Sequence, residues 1–302
     1  MELELSKLTT EIRNQYSMNL DQMSTLEVLK TINNEDKKIA EAVEQVLPEV
    51  AIAIEATYQS LKNGGRLFYV GAGTSGRVGI IDASECPPTF MTDPDMVQTV
   101  MAGGTGAFFQ AVEGSEDNEA QGEQDLKGRK FTKNDVVIGI TASGRTPYPI
   151  GALKYANDLG AYTISLTCNE NSTISTFADC GIEVLVGPEV LTGSTRMKAA
   201  TAHKMILNMI STTTMVKLGK VYENLMVDVH ASNYKLKERA KKNMMEVTHI
   251  TYEKAEAALE KTSYQVKPAI VMIEAGVDLQ KANQAIEESN GYVREAIASL
   301  VQ

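Results

Sequence analysis

The 302-residue sequence has little cysteine, no excess of basic charge and no long apolar run. Its cysteines, Cys86, Cys168 and Cys180, are odd in number and lack C-x-x-C spacing, which argues against a disulfide framework or a zinc site and favours reduced thiols. The net charge of −10 disfavours nucleic acid and anionic membranes as partners, because both are bound through basic surfaces. The N-terminal stretch MELELSKLTTEIRN has no signal-peptide core, and no run is long enough to span a membrane. We therefore expect a soluble, cytoplasmic protein.

A strand followed by a Gly-rich loop and a helix is the clearest feature that is present. Leu67 to Val70 is a short apolar run of the kind found in buried parallel strands, and it leads into GAGTSG (71–76) and a helical run, Arg77 to Ser84. Glycines allow close approach, and a helix N-terminus with spare donors attracts an anion, most often phosphate. The sequence lacks a Walker lysine and a ribose-binding acid at the expected spacing, so we interpret the loop as holding a phosphorylated small molecule. A tight turn without a ligand is the alternative.

Strand and helix patterns alternate five times along the first two thirds of the chain. This alternation predicts an α/β fold with a doubly wound, five-stranded parallel sheet, whose strands we place at 67–70, 96–101, 135–141, 162–166 and 182–186. Ser24 followed by Glu27 predicts a capped helix start. The pair Pro87-Pro88 predicts that the helix before it ends. A later helix is predicted to reach Glu116, and residues 117–132 look polar and mobile.

A long helix from about Thr195 to Leu218 is apolar nearly all round, which is typical of burial in a core or against a second subunit and supports a homodimer. From about Lys235 onward only amphipathic helices are predicted, with Asp278 as an N-cap and Asn290-Gly291 as a helix end. We divide the chain into an N-terminal arm with helices (1–50), an α/β domain (51–234) and a small helical domain (235–302).

Two further loops resemble the first one. Ser143-Gly144-Arg145-Thr146 follows the strand DVVIGIT, and Ser194-Thr195 precedes the long helix. Ligands of open α/β sheets bind at the carboxyl ends of the strands, so these hydroxyl-bearing turns predict a phosphate cradle there, with helix capping alone as the alternative. No cluster of His, Cys and carboxylates has metal-ligand spacing, so we expect a site without a metal or cofactor.

Glu85 and Glu116 are the candidate acid–base pair. Two carboxylates beside a sugar phosphate suit this chemistry if one donates a proton and the other accepts one. Spacing alone does not separate Glu116 from its neighbours Glu113, Asp117 and Glu119. The histidines are weaker candidates: we expect His203 to be a core or interface residue and His249 to lie on the surface, and His230 could lie near the site.

Several motifs together resemble one bacterial family. GAGTSGRVGIIDASECPPTF (71–90), AVEGSEDN (111–118), ASGRTPY (142–148), TGSTRMKAATAHK (192–204) and NLMVDVHASN (224–233) are similar to the N-acetylmuramic acid 6-phosphate etherases, which belong to the sugar isomerase superfamily of phosphosugar-binding domains. The resemblance extends from LTTEIRN (8–14) to the helical tail. It implies cleavage of the lactyl ether of N-acetylmuramic acid 6-phosphate to N-acetylglucosamine 6-phosphate and D-lactate, in the recycling of cell-wall amino sugars.

The resemblance also implies roles for residues. Glu85 corresponds to the proton donor to the departing lactate and Glu116 to the second acid–base residue, to which we assign removal of the carbon 2 proton. The residues expected to bind the substrate and its phosphate are Gly73, Thr74, Ser75, Ser84, Ser143, Gly144, Arg145, Thr146, Ser194 and Thr195.

Two other functions stay open from the sequence. A phosphosugar aldose–ketose isomerase also removes the carbon 2 proton but releases no lactate. A non-catalytic phosphosugar-sensing regulator would need neither carboxylate. The tail resembles ubiquitin-associated bundles, which is compatible with either a protein-binding or a dimer-supporting role.

Overall fold

The computed structural model describes residues 8–229 and 233–301. The chain begins with the helices α1 (Thr25–Asp36), α2 (Lys38–Glu44) and α3 (Leu47–Lys62). The backbone N–H of Ser24 donates to the Glu27 carboxylate at 2.7 Å, as in a capping box, so the predicted helix start is confirmed.

A parallel sheet follows. Its strands are β1 (Leu67–Gly71), β2 (Val97–Met101), β3 (Val136–Thr141), β4 (Tyr162–Thr167) and β5 (Cys180–Glu183). They lie in the order β2-β1-β3-β4-β5 and all pair in parallel, with Leu67 opposite Val97 on one side and Val136 on the other. The predicted five-stranded, doubly wound sheet is confirmed, and its order is the flavodoxin-like one. The last strand differs most from its predicted bounds, because it begins two residues before Ile182 and ends at Glu183 and not at Val186; the other strands agree with their predicted bounds to within one residue.

The connecting helices cover both faces of this sheet. They are α4 (Gly73–Phe90), α5 (Gly106–Phe109), α6 (Glu119–Gly128), α7 (Pro147–Leu159) and α8 (Lys198–Lys217). β1 and β3 are buried along their whole length, as expected for central strands with both faces covered. One cluster of buried side chains lies around β1, β3 and α7 and includes Phe68, Val70, Leu126, Val137, Tyr148 and Leu153.

The expectation that Pro87-Pro88 stops the helix is wrong. α4 continues through both prolines to Phe90, and Met91, with φ of 52°, follows it. Proline has a helical φ but lacks an N–H and crowds the preceding turn. Both prolines lie in the last turn of α4, so only hydrogen bonds at the end of the helix are lost.

The prediction of a polar, mobile stretch at 117–132 is wrong about its structure, because most of it forms the helix α6. Gly122 and Gly151 let α6 and α7 approach closely: an ideal Cβ at Gly122 would lie 1.9 Å from the Tyr148 carbonyl oxygen, and one at Gly151 would lie 2.0 Å from the Glu119 carbonyl oxygen. The Tyr148 hydroxyl also donates to Asp125 at 2.7 Å. Tertiary packing therefore produces a helix for which the sequence has little apolar periodicity.

The described chain forms two compact units, residues 8–84 with 95–211, and residues 85–94 with 212–229 and 233–301. The second unit contains the hairpin β6 (Val221–Tyr222) and β7 (Leu225–Met226). It also contains the helices α9 (Tyr234–Thr248), α10 (Tyr252–Lys261), α11 (Val266–Ala275), α12 (Leu279–Glu288) and α13 (Val293–Val301). The helical tail is confirmed and has its own core, which includes Met244, Leu259, Val266, Ile270 and Val293. The boundaries at 50 and 234 stay a prediction.

The caps of α12 are as predicted. The Asp278 side chain accepts from the Lys281 N–H at 2.9 Å, and the Gly291 N–H donates to the Ile286 carbonyl at 2.8 Å. Within the described ranges no helix is long and apolar enough to cross a membrane.

Candidate active site

The first Gly-rich loop lies at the carboxyl end of β1. α4 begins at Gly73, two residues after the strand ends at Gly71, so Thr74 and Ser75 lie in its first turn. An ideal Cβ at Gly71 would lie 2.9 Å from the Gly76 nitrogen, which means that a side chain at Gly71 would push the helix off the strand. The amides of the first turn of a helix have no intrahelical acceptor and carry the positive end of its dipole. The predicted strand–loop–helix is confirmed, and its geometry suits an anion.

The second loop lies beside the first, because β1 and β3 are neighbours. Gly71 is opposite Ile140 in the register, and Ser143 follows β3 by two residues. Hydroxyl contacts order this loop: Thr141 Oγ1 lies 2.7 Å from Thr146 Oγ1 and 3.3 Å from Ser143 Oγ. The order β2-β1-β3 also places the change in winding direction here, where ligands bind in such sheets.

Gly144 closes this loop against the neighbouring segment. It has a φ of +72°, and a Cβ there would lie 2.1 Å from Ser172 Oγ. The Arg145 N–H donates to Ser143 Oγ at 3.3 Å, and the side chains of Ser143, Arg145 and Thr146 are partly exposed. The residues of this loop are therefore positioned at the carboxyl edge of the sheet with polar groups that reach the surface.

The third predicted anion site differs from the first two. α8 begins at Lys198 and not at Thr195, and the buried Glu189 carboxylate accepts from the N–H groups of Lys198 at 2.9 Å and Ala199 at 3.0 Å. Burial raises the pKa of Glu189, although these two backbone hydrogen bonds lower it. A carboxylate of the protein thus already occupies amides that would otherwise attract a phosphate. Ser194 and Thr195 can contribute hydroxyls, but the helix N-terminus they precede is not open.

An N-terminal segment lies across the same edge of the sheet. The Thr9 N–H donates to Asn169 Oδ1 at 2.7 Å, and the Asn169 amide donates to Thr10 Oγ1 at 3.1 Å and to the Ala142 carbonyl at 2.9 Å. Thr10 is buried, and a Cβ at Gly193 would lie 3.4 Å from Glu11 Oε2. The sequence did not predict where Thr10-Glu11 lies. No local pattern indicates the hydrogen bonds of Thr9 and Thr10 to Asn169, because about 160 residues separate these partners.

A cleft of about 190 Å³ opens between the first loop and the segment before α6. Gly73, Arg77, Glu113 and Glu116 are among its lining residues. The Arg77 guanidinium is held by the carbonyl groups of Ala107 at 2.8 Å and Phe108 at 3.1 Å. The structure therefore brings Glu116 together with the first Gly-rich loop, and it places a fixed cation, which sequence reasoning missed, in the same cleft.

The cleft narrows the choice among the four neighbouring carboxylates. Glu113 and Glu116 line it, Asp117 does not, and Glu119 instead pairs with Lys154 at 2.6 Å. Glu116 lies in the short 3-10 turn Ser115–Asp117 directly before α6, and its side chain is exposed. The packing of α6 against α7 therefore positions the turn Ser115–Asp117, which contains Glu116.

Ser84 does not belong to the same phosphate cradle. It lies ten residues after Thr74 on α4, a distance of about 15 Å along the helix axis at 1.5 Å per residue. Its hydroxyl is exposed and donates to the Ile81 carbonyl at 3.0 Å. A phosphate at the N-terminus of α4 is therefore out of reach of Ser84 in the same chain. Glu85, the next residue, is exposed and belongs to the second unit.

A buried carboxylate fastens α4 in place. Asp82 is 4% exposed and accepts hydrogen bonds from Tyr69 at 2.7 Å, Ser211 at 3.0 Å and Asn208 at 2.5 Å. These donors lie on β1 and α8, so Asp82 links α4 to both. Sequence reasoning missed this group, because its partners are distant in the chain.

His203 is a core residue, as predicted, and His249 is exposed, as predicted. His203 Nε2 lies 3.4 Å from Cys168 Sγ, and complete burial lowers the pKa of His203 to about 4. His230 lies outside the described residues. Among the residues that the structure describes, no group of three or more His, Cys, Asp and Glu side chains could hold a metal ion.

Comparisons with known proteins agree with this architecture. Residues 49–157 match the glucokinase regulatory protein N-terminal SIS domain, and residues 118–213 match the SIS domain. A phosphoheptose isomerase from Francisella tularensis is 20% identical with a TM-score of 0.50, covering 63% of this chain and 100% of that one. A putative phosphosugar isomerase involved in capsule formation from Bacteroides fragilis is 21% identical with a TM-score of 0.51, covering 67% and 97%. The sheet and its loops are thus those of a SIS domain.

Full-length relatives identify the family. An N-acetylmuramic acid 6-phosphate etherase from Bacillus subtilis is 57% identical over 98% of this chain and 97% of its own. One from Clostridium botulinum is 53% identical over 99% of each chain, and one from Serratia proteamaculans is 53% identical over 98% of this chain and 99% of its own. The chain belongs to the family of N-acetylmuramic acid 6-phosphate etherases.

Proposed function

We propose that this protein is a carbon–oxygen lyase that cleaves the D-lactyl ether of N-acetylmuramic acid 6-phosphate. The products are N-acetylglucosamine 6-phosphate and D-lactate. The observation that carries this conclusion is the 57% identity to a relative named for this activity over 98% of the chain. The cleft that joins Glu116 to the first Gly-rich loop supports it, because it offers an acid–base group beside an anion site.

The substrate reacts as its open-chain aldehyde. The carbonyl at carbon 1 acidifies the proton at carbon 2, so a carboxylate can remove that proton. The electron pair of the carbon 2–hydrogen bond then forms the carbon 2–carbon 3 double bond while the bond from carbon 3 to the lactyl oxygen breaks. A second carboxyl group gives a proton to the departing oxygen. Water then adds across the carbon 2–carbon 3 double bond: the second carboxyl group, now ionised, takes a proton from the water as its oxygen bonds to carbon 3, and the first returns its proton to carbon 2.

We assign the base role to Glu116 and the proton-donor role to Glu85. Because Glu85 lies one residue beyond Ser84 on α4 and is as far from the N-terminus of that helix, a second copy of the chain would supply it to the site. Glu116 lines the cleft beside Gly73, where a sugar whose phosphate lies at the α4 N-terminus would extend. We assign the phosphate to Gly73, Thr74 and Ser75, with the hydroxyls of the Ser143–Thr146 loop on the neighbouring strand. Arg77 contributes a fixed positive charge in the same cleft.

We also propose that the protein acts in the cytoplasm as a homodimer, in the recycling of cell-wall amino sugars. The three cysteines are all buried and form no disulfide with one another, which is typical of a reducing compartment. Sedimentation velocity on the purified protein tests the dimer, since a single species at the mass of one chain would contradict it.

An enzyme-coupled D-lactate assay tests the activity. We expect lactate from N-acetylmuramic acid 6-phosphate and none from the unphosphorylated sugar. Glu85→Gln and Glu116→Gln should each reduce kcat by roughly 10²–10⁴-fold, because each removes an acid–base group. Glu113→Gln is the matched control, since Glu113 lines the same cleft but is given no proton to transfer. A Glu116→Gln variant with a near-normal rate would contradict the assignment.

Hydrogen exchange at carbon 2 separates the two roles. In deuterated water, Glu85→Gln should still exchange the carbon 2 proton of the substrate without releasing lactate, because its base is intact. Glu116→Gln should do neither. The opposite pattern would mean that Glu85 is the base and Glu116 the proton donor. Hydrogen exchange at carbon 2 in both variants would exclude Glu116 as the base.

A further inference from the structure

The second unit contains a cavity of about 310 Å³ that the proposed reaction does not use. Its lining includes Lys220, Asp228 and Lys267 as charged residues, and every lining residue belongs to this unit. We call this cavity the lysine pocket. Its volume is at the lower end of the range for small-molecule sites, so a ligand that fills it would be small.

The lysine pocket has an unequal charge balance. Lys220 Nζ lies 3.1 Å and Lys267 Nζ lies 2.9 Å from the same oxygen, Oδ2 of Asp228. Two ammonium groups thus share one carboxylate, which leaves one formal positive charge. The Lys267 side chain is only 11% exposed, so water stabilises that charge poorly. Burial lowers the pKa of Lys267 although Asp228 raises it, and the charge of Lys220 lowers it further.

The N-terminus of α11 adds to this positive potential. The lining includes Gln265, Val266 and Lys267, which form the start of that helix, and Gln265 makes no side-chain cap. Helix geometry leaves the amides of Val266 and Lys267 without an intrahelical acceptor. The positive end of the helix dipole therefore lies in the same wall as the two lysines.

The rest of the lining is mostly apolar and consists of Met91, Val227, Val229, Val266, Pro268 and Ile286, with Asn283 as a further polar residue. A dianionic phosphate in such surroundings would keep one charge without a counter-charge, which is costly in an apolar cavity. A monoanion with a short hydrocarbon part matches both the single excess charge and the apolar wall.

We propose that the lysine pocket binds a small organic carboxylate, with the carboxylate between Lys220 and Lys267 and the hydrocarbon part against the valines and Ile286. The proposal does not rest on the etherase assignment, so it can be tested whether or not that assignment holds. A ligand there would tie together the hairpin segment that carries Asp228 and the first turn of α11.

Methyl NMR of the full-length protein tests the proposal, with butyrate as the probe and the methyl groups of Val229, Val266 and Ile286 as reporters. Butyrate should shift these resonances in a saturable way, whereas neutral butyramide should not. Lys267→Met should weaken butyrate binding by about tenfold or more, because it removes a charge-assisted hydrogen bond and keeps most of the hydrocarbon stem. Lys261→Met, an exposed change in the same unit, is the matched control.

Asp228→Asn provides a test of opposite sign. It removes the carboxylate that competes for both lysines, so butyrate should bind several-fold more tightly. This variant also decides the matter if Lys267→Met does not fold. The proposal is overturned if butyrate gives no saturable shifts in the unaltered protein, if Asp228→Asn weakens binding, or if inorganic phosphate binds the pocket more tightly than butyrate.

Discussion

Replacing Gly122 by alanine should separate α6 from α7 and displace the turn that carries Glu116. The new Cβ would lie 1.9 Å from the Tyr148 carbonyl oxygen, whereas ordinary contact begins near 3.4 Å. The helices must therefore move apart by roughly 3.4 − 1.9 = 1.5 Å, because a backbone carbonyl in the first turn of α7 cannot rotate away. Gly151 makes the reciprocal contact with Glu119, so the displacement acts on the whole interface.

The cost of this displacement can be estimated. Overpacking costs about 1–3 kcal/mol, and loss of the hydrogen bond from Tyr148 to Asp125 adds about 0.5–1.5 kcal/mol. The higher helix propensity of alanine returns about 1 kcal/mol. We therefore expect a net loss of about 0.5–3.5 kcal/mol in the free energy of unfolding. A shift of about 1 Å in a reacting group can also lower kcat by about 10²-fold.

Gly128→Ala is the matched control, because Gly128 lies in the same helix and a Cβ there would meet nothing within 4 Å. Urea unfolding and the D-lactate assay should be measured on both variants. Gly128→Ala should be at least as stable as the unaltered protein, because alanine has the higher helix propensity, and it should be as active. Gly122→Ala should lose both stability and kcat. If the two variants behaved alike, the close approach of α6 and α7 would not be what positions Glu116.

Two further predictions concern buried charges. Burial lowers the pKa of His203 in the folded protein to about 4. Between pH 6.5 and pH 4, His203 is therefore protonated in the unfolded chain but neutral in the folded one. The free energy of unfolding should therefore fall by up to about 3 kcal/mol as the pH falls from 6.5 to 4. In urea unfolding, His203→Gln should flatten this dependence, whereas exposed His249→Gln should leave it unchanged. Parallel curves for the unaltered protein and both variants would refute the argument. Lys198 pairs with Glu35 at 2.8 Å, and their side chains are 1% and 4% exposed. Lys198→Met should cost about 1.5–3 kcal/mol, because the buried Glu35 carboxylate loses Lys198 but keeps Lys38 at 2.5 Å. Adding Glu35→Leu should recover part of that loss, and a double variant at least as unstable as the sum of the single ones would contradict this.

The local pattern of the sequence was enough to predict most of the sheet. The central strands β1 and β3 are mostly apolar and buried along their whole length, because both faces of a parallel sheet are covered, and the loop after β1 has glycine where backbone groups meet closely. Capping residues such as Ser24 and Asp278 also act on neighbours three residues away, so their effect is visible locally. These features depend on contacts within a few residues.

Other local signals were overridden by packing. α6 has little apolar periodicity and forms because Gly122 and Gly151 let it lie against α7. The prolines in α4 have an unfavourable local effect, yet the helix continues through its last turn. For α6 the deciding interaction is with α7, which is distant in the sequence. For α4 it is the position of the prolines in the last turn of the helix. Helix propensity alone includes neither effect.

The candidate site divides in the same way. The sequence by itself determined the strand–loop–helix at Gly73 and, through the resemblance, pointed to Glu85 and Glu116. Only the tertiary structure decided that Glu116 and Glu113 share a cleft with Arg77, that Glu189 occupies the N-terminus of α8, and that Thr9 is bound to Asn169. The physical reason is that hydrogen bonds and clefts join side chains far apart in the chain. The parallel sheet brings the first two loops and the Thr9–Asn169 pair to its carboxyl edge, which no local pattern of the sequence could show.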